Sequence, residues 1–358
     1  MLYHLLYPLR DVYSWLNVFR YQTFRAMLAF LLAFAFVLVL EPVFIRWLKA
    51  RGVKGQPIRD DGPKVHEVKR GTPTMGGLVI VVAVIFSTLL LADLTNKFVW
   101  ATLLIMIAYA VLGFFDDWRK ITHQNSKGLS ERQKLGWQCL IAAVGGGFLM
   151  MSGFSTDLTF PLFKEWSFTL GVLFIPFVAL VVVGCSNAVN LTDGLDGLAI
   201  GPVMTVATTY AIFAYLTGNV IYSTYLGLNH VPAVGEICII LSALFAAGLG
   251  FLWYNTFPAQ VFMGDTGALA LGGVLGFIAV LVKQEILLVV AGGIFVLEAV
   301  SVLMQRYYYK MTGKRIFKMA PVHHHFELLG WAEPKIIVRF WIISIVLALI
   351  SLTTLKLR

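Results

Sequence analysis

Ten apolar runs, each long enough or nearly long enough to cross a hydrocarbon layer of about 30 Å, decide what this chain can fold into. They fall near residues 26–45, 75–91, 98–115, 135–151, 168–183, 198–216, 237–254, 268–282, 286–304 and 340–355. Backbone amides in lipid find no water, so such runs must satisfy their own hydrogen bonds as helices. Only 13% of the residues are charged, against roughly 25% in soluble proteins, too few to solvate a water-exposed surface. The expected fold is an all-α polytopic membrane protein with about ten transmembrane helices.

Charge between the runs sets the orientation. Loops after odd-numbered runs and the helix ends beside them hold nineteen lysines and arginines, from Arg46 to Lys335. Those after even-numbered runs hold only Lys97, Lys164 and Lys283. The positive-inside rule then puts the odd loops in the cytoplasm and both termini outside, in the periplasm. Segment 1–23 mixes Tyr3, Tyr7, Tyr13, Trp15 and Phe19 with a few charges, and reads as an interfacial helix rather than a cleavable signal. A net charge of +9 that sits in membrane-flanking loops argues against a nucleic-acid partner. Cys139, Cys185 and Cys238 form neither a disulfide framework nor a metal-ligand spacing.

The same parity places every polar cluster on the cytoplasmic face. Asp116 and Asp117 follow the third run, and Asn187, Asn190, Asp193 and Asp196 follow the fifth. Asp265 precedes the eighth run, and His323, His324 and His325 lie before the tenth. Adjacent carboxylates repel unless a cation intervenes, so Asp116 and Asp117 read either as a helix end paired with Arg119 and Lys120 or as a Mg²⁺ site. Asp265, between Gly264 and Gly267, is a further hard oxygen ligand. The 190–197 turn carries two Asp-Gly steps and no cation of its own, which suits a nucleoside with a metal as well as plain turn chemistry. The basic stretch from His66 to Gly77 can cradle phosphate or attract anionic headgroups. Three consecutive histidines diverge, so phosphate or sugar binding is favoured over zinc. Glu298, inside the ninth run, is expected to pair with Arg339 or a helix dipole.

In order and in register, Arg70-Gly-Thr-Pro-Thr-Met-Gly-Gly77, Phe115-Asp-Asp117, Asn187-Ala-Val-Asn-Leu-Thr-Asp-Gly-Leu-Asp-Gly197, Phe262-Met-Gly-Asp265 and Pro321-Val-His-His-His-Phe-Glu-Leu328 resemble one family. It is the bacterial phospho-N-acetylmuramoyl-pentapeptide transferases, within the polyprenyl-phosphate N-acetylhexosamine-1-phosphate transferases. The likeness runs from about Asn17 to the C-terminus. It implies a single transferase domain over 1–358, with 24–358 as a ten-helix core, and a homodimer using Mg²⁺. The implied reaction joins UDP-MurNAc-pentapeptide to undecaprenyl phosphate, giving lipid I and UMP at the bacterial inner membrane.

By that likeness Asp265 binds Mg²⁺, with Asp116 and Asp117 beside the phosphates. Lys69, Thr74, Asn190, Asp193, Gly194, Leu195 and Asp196 match donor-pocket positions, and Phe262 lies against the uracil. Lys134, Gln305, His324 and His325 match other cleft positions, with Asn187 and His323 beside them. Gly292 and Gly293 fall where the family's ninth helix is broken. Ala268 departs from the serine common there, and Cys185 from a residue often small or hydroxylated. Two other functions remain open: a polyprenyl-phosphate GlcNAc-1-phosphate transferase, and a nucleotide-sugar transporter, which would spread its polar residues across the bilayer instead of at one edge.

Overall fold

The computed structural model describes residues 1–51, 69, 71–123, 128–161 and 163–356. Most of the first basic loop, including His66, Glu67 and Arg70, lies outside the described residues, as does Lys127. The chain is almost wholly helical. In order come α1 (Leu2–Leu6), α2 (Gln22–Ala50), α3 (Gly77–Leu91), α4 (Lys97–Thr122) and α5 (Glu131–Met151). A hairpin of β1 (Asp157–Phe160) and β2 (Phe163–Thr169) follows, pairing antiparallel with Asp157 opposite Thr169. Then come α6 (Phe174–Thr192), α7 (Ile200–Gly218), α8 (Val220–Leu226), α9 (Ile237–Asn255) and α10 (Gly264–Leu281). The last are α11 (Leu287–Ala291), α12 (Gly293–Thr312), α13 (Val322–Leu328) and α14 (Glu333–Thr353).

Eight described helices are long and apolar enough to cross a membrane: α2, α4, α5, α6, α7, α9, α10 and α14. α3 is apolar but has 15 residues. The expected ninth span is two pieces, because paired glycines lack a side chain to hold a helix straight and α11 stops just before Gly292. The fifth span starts later than its apolar pattern, since Phe168 belongs to β2. The N-terminal segment is not one helix. α1 gives way at Pro8, which has no N–H to continue it, to 3₁₀ turns over Tyr7–Asp11 and Ser14–Arg20.

α10 lies at the centre, with all 18 of its residues buried, packed between α4, α6 and α3. Its apolar side chains satisfy the neighbours on every side, as expected of a helix hydrophobic all round. Outer helices instead turn Leu31, Leu104, Leu180, Ile345 and Leu349 outward, an apolar belt suited to lipid. The central helix can sit so deep because glycines let backbones touch. A β-carbon on Gly77 of α3 would stand 2.3 Å from Gly267 Cα of α10. One on Gly113 of α4 would stand 2.3 Å from Asp265 O. The acids at the start of α10 are thereby brought into the middle of the bundle's end.

Candidate active site

Several helices outrun their apolar cores at one end of the bundle, and the site is built on those extensions. α4 continues past residue 115, so Asp116, Asp117 and Lys120 are helical rather than in the following loop. α6 likewise runs to Thr192 and carries Asn187 and Asn190. Asp265 stands in the first turn of α10, where a helix N-terminus favours negative charge. α5 opens with a capping box between Ser130 and Gln133, which places Lys134 on its first turn facing inward.

Asp117 anchors the cluster. It is fully buried and accepts hydrogen bonds from Asp265 N (3.1 Å), Thr266 N (2.9 Å) and Thr266 Oγ1 (2.7 Å), so a side chain of α4 caps α10. Asp116 Oδ1 accepts from Leu129 N at 2.8 Å, and its Oδ2 meets Lys120 Nζ at 2.7 Å. Lys120 also reaches Asp265 Oδ2 at 3.1 Å, and Lys134 hydrogen-bonds the same oxygen. Asn190 Nδ2 donates to Asp265 Oδ1 at 2.8 Å. Three carboxylates and two ammonium groups thus share one small volume, each charge opposed by another.

Asp116, Asp117 and Asp265 each offer an oxygen within 4.8 Å of the others, a donor set of hard ligands that fits one divalent cation. All three carboxylates already have partners, but Asp117 is turned to the α10 N-terminus and only Asp116 and Asp265 line the cavity, which makes them the better placed ligands.

Beside the acids the 193–197 turn forms the second half of the site. Asp193 closes α6, and burial, then the negative charges of Asp265, Asp117 and Asp196, push its carboxyl up to about 8. Lys69 arrives from the first loop to bind Asp196 Oδ1 (2.7 Å) and Glu333 Oε1 (2.6 Å). Glu333 Oε1 also accepts from Asp196 N at 2.9 Å. The cation that the turn lacks in sequence is supplied from more than a hundred residues away.

A cavity of about 1140 Å³ joins the two halves. Of the residues singled out in the sequence, Lys69, Asp116, Lys134, Asn187, Asn190, Asp193, Gly194, Leu195, Asp196, Phe262, Asp265, His323 and His324 line it. Four do not. Asp117 lies behind the wall as the α10 cap, and Thr74 Oγ1 is buried against the same helix start, where a β-carbon on Gly264 would come within 2.8 Å of it. Gln305 spends its amide on the main chain, accepting from Ile316 N and Phe317 N and donating to Phe317 O. His325 Nδ1 accepts from Lys318 N at 3.1 Å. The expected divergence of the three histidines fails for two of them: the His323 and His324 rings lie 4.1 Å apart between centroids, with His324 Nδ1 paired to Glu327 Oε2 at 2.6 Å, and only His325 turns away, to the 318 main chain.

Glu298 pairs with His323 at 3.1 Å and not with Arg339, whose guanidinium lies over the Trp331 ring. Arg339 sits two turns into α14 and is drawn to the aromatic face preceding that helix. Ala268 is buried among apolar side chains one turn inside α10, away from the cavity.

Sequence reasoning missed three contributors. Gln138, one turn beyond Lys134 on α5, pairs its amide with Asn187 at 2.7 Å, and the i, i+4 spacing was the available signal. Asn255 lines the cavity, donates to Val261 O at 2.8 Å and keeps a buried Oδ1 with no partner among the described residues. Glu333 gave no signal beyond its place before Pro334.

The fold and site define a multi-pass helical membrane protein with a buried cleft of carboxylates and lysines at one end. Comparison with known proteins narrows the class. Residues 99–283 match the Glycosyl transferase family 4, and residues 69–81 match the phospho-N-acetylmuramoyl-pentapeptide-transferase signature 1. The chain is 58% identical to the phospho-N-acetylmuramoyl-pentapeptide-transferases of Citrifermentans bemidjiense and of a Geobacter species, and 53% identical to that of Maridesulfovibrio salexigens. Each alignment covers the whole of both proteins. The chain belongs to the phospho-N-acetylmuramoyl-pentapeptide-transferase family and is a transferase.

Proposed function

We propose that the protein transfers phospho-MurNAc-pentapeptide from UDP-MurNAc-pentapeptide to undecaprenyl phosphate, releasing UMP and forming lipid I. The observation that carries this reading is the meeting, in one cavity, of Asp116 and Asp265 under Lys120 and Lys134 with the Asn190–Asp196 turn. The reaction brings two anions together, and that electrostatic cost is what the site must offset. Mg²⁺ held by Asp265 and Asp116 would supply charge neutralisation at the transferring phosphoryl group. Lys120 and Lys134, already paired with those carboxylates, are within reach to share the phosphate charge. A phosphate monoester has a second pKa near 6, so the lipid phosphate is mostly dianionic at neutral pH and needs no strong base. Asp116, held by Leu129 N and Lys120, positions cations and is not a free nucleophile. This favours direct in-line transfer over a covalent enzyme intermediate.

Lys69, Asp193, Gly194, Leu195 and Asp196, with Asn255 and Phe262 opposite, form the donor side. The half-buried Phe262 is pinned through its main chain to Pro73 O and Gly76 N, a rigid platform for a flat base. We assign the chain to the bacterial inner membrane as one catalytic domain, with the cavity facing the cytoplasm, from the charge asymmetry of its loops. A homodimer follows from the family resemblance.

The test is UMP release by purified protein with undecaprenyl phosphate and Mg²⁺, comparing UDP-MurNAc-pentapeptide with UDP-GlcNAc. Release with the muramoyl donor alone supports the reading. Release with UDP-GlcNAc alone moves the chain to the sibling reaction.

A further inference from the structure

Glu333 is the first residue of α14, buried and outside the lining of the cavity. Its Oε1 accepts from Lys69 Nζ at 2.6 Å and from Asp196 N at 2.9 Å, so one atom joins the first loop to the 193–197 turn. Its Oε2 is buried with no partner among the described residues. Buried ion pairs are a weak source of stability, because desolvation offsets their attraction and apolar side chains often serve as well. The arrangement calls for another reason.

A second tie comes from two turns along the same helix. Trp341 Nε1 donates to Gly197 O at 3.2 Å. Its ring also fills the space beside α7, where a β-carbon on Gly201 would stand 2.1 Å from that nitrogen. Between the two ties, Ile336, Ile337 and Phe340 of α14 pack with Leu195 and Leu198. α14 therefore grips the donor turn from behind, while none of its own residues lines the cavity.

Lys69 is where this grip reaches a ligand. Its side chain lines the cavity and keeps 14% exposure. Two of its three N–H groups go to Asp196 Oδ1, at 2.7 Å, and Glu333 Oε1, which leaves the third for an acceptor in the cavity. With two carboxylates on one ammonium, that corner carries no surplus positive charge to draw a diphosphate. Asp196 is itself fixed, since its Oδ2 accepts from Ala259 N at 2.9 Å.

We propose that Glu333 is a positioning residue for the nucleotide-sugar donor: it fixes the Lys69 ammonium and the Asp196 main chain, so that Lys69 offers its third N–H to an uncharged acceptor of the nucleoside part. Trp341 holds the same turn from the same helix. This rests on the transferase reading above and adds two residues to it that act from outside the cavity.

The experiment uses the full-length protein in detergent, with calorimetric affinities for UMP and UDP beside donor kinetics. Glu333→Gln keeps the shape and an oxygen for Asp196 N, but removes the charge that holds Lys69. It should weaken both nucleotides equally and lower kcat/KM for the donor, on the order of tenfold to a hundredfold. KM for undecaprenyl phosphate and Mn²⁺ affinity should not change, since both belong to the acid cluster. Because Glu333 acts through Lys69, the double variant with Lys69→Met should be no worse than Lys69→Met alone. Trp341→Phe, which loses only the indole N–H, should weaken UMP roughly twofold to tenfold, and it decides the matter if Glu333→Gln does not fold. Wild-type UMP affinity, a larger loss for UDP than for UMP, or additive losses in the double variant would overturn the proposal. So would an equal rise in the lipid KM, which would leave Glu333 a support of the fold. A wild type that binds UMP but turns over no muramoyl donor sinks the transferase reading, and the nucleotide affinities still judge Glu333.

Discussion

Adding one methyl group at Gly113 should disable the site without replacing any residue that lines it. A β-carbon there would lie 2.3 Å from Asp265 O, 2.5 Å from Asp265 C and 2.7 Å from Thr266 Cα, all main-chain atoms that cannot rotate away. Ordinary contact begins near 3.4 Å, so α4 and α10 must part by roughly 1 Å. Asp117 is one turn further along α4, and its bonds to Asp265 N and Thr266 N, now 3.1 and 2.9 Å, would stretch past useful range. Overpacking and the weakened charge-assisted bonds together should cost about 2–4 kcal/mol. A displacement of that size near reacting groups costs about a hundredfold in rate. The intrinsic preference of helices for alanine acts in the opposite direction by about 1 kcal/mol. Gly147→Ala on α5, where a β-carbon meets nothing within 4 Å, isolates that term and should be neutral or slightly stabilising. Thermal unfolding in detergent, Mn²⁺ affinity and UMP release would be compared. Gly113→Ala with wild-type metal affinity and turnover would refute the claim that close α4–α10 packing sets the acid cluster.

Two further outcomes follow from the charges. Asp193 ionises near 4 in an unfolded chain and near 8 in the fold, so the folded state holds an extra proton between those values and loses stability as pH rises through that window. With a chelator present, wild-type melting temperature should therefore fall relative to Asp193→Asn between pH 5 and pH 8.5, and parallel curves would contradict it. Arg25→Ala should cost about 3–5 kcal/mol in thermal unfolding, because it strands Glu236, which Arg25 holds at 2.7 and 2.6 Å. Arg25 also meets Leu91 O, at the end of α3 opposite the site, so turnover of the folded fraction should persist; a selective loss of kcat would refute this.

The all-α, multi-pass class was legible because lipid leaves the backbone few choices, although eight described helices rather than ten are long and apolar enough to span, and the clustering of Asp116, Asn190, Asp265 and His323 at one end followed from loop parity alone. Hydropathy saw only the apolar stretch of each helix. It ended α4 at 115 and α6 at 183, and so put helical catalytic candidates into loops. The periodicity that would have extended them is carried by polar residues facing a cavity, which an apolar pattern cannot register. Pairings across the fold were invisible for another reason. Lys69 with Glu333, and Glu298 with His323, join segments whose contact depends on helix packing. The guess that Glu298 meets Arg339 chose by charge; the fold instead sets an imidazole within 3.1 Å. Gln305 and His325 were carried over from the family pattern, and only geometry reveals that their polar atoms here serve the 316–318 main chain.

The central claim is that the lipid phosphate attacks the sugar-side phosphorus of the donor. A donor labelled with phosphorus-32 at that position, mixed with protein, Mg²⁺ and undecaprenyl phosphate, tests it directly. The account predicts the label in the lipid diphosphate and unlabelled UMP in solution. Label leaving in UDP, or staying on the protein after denaturation, would contradict it.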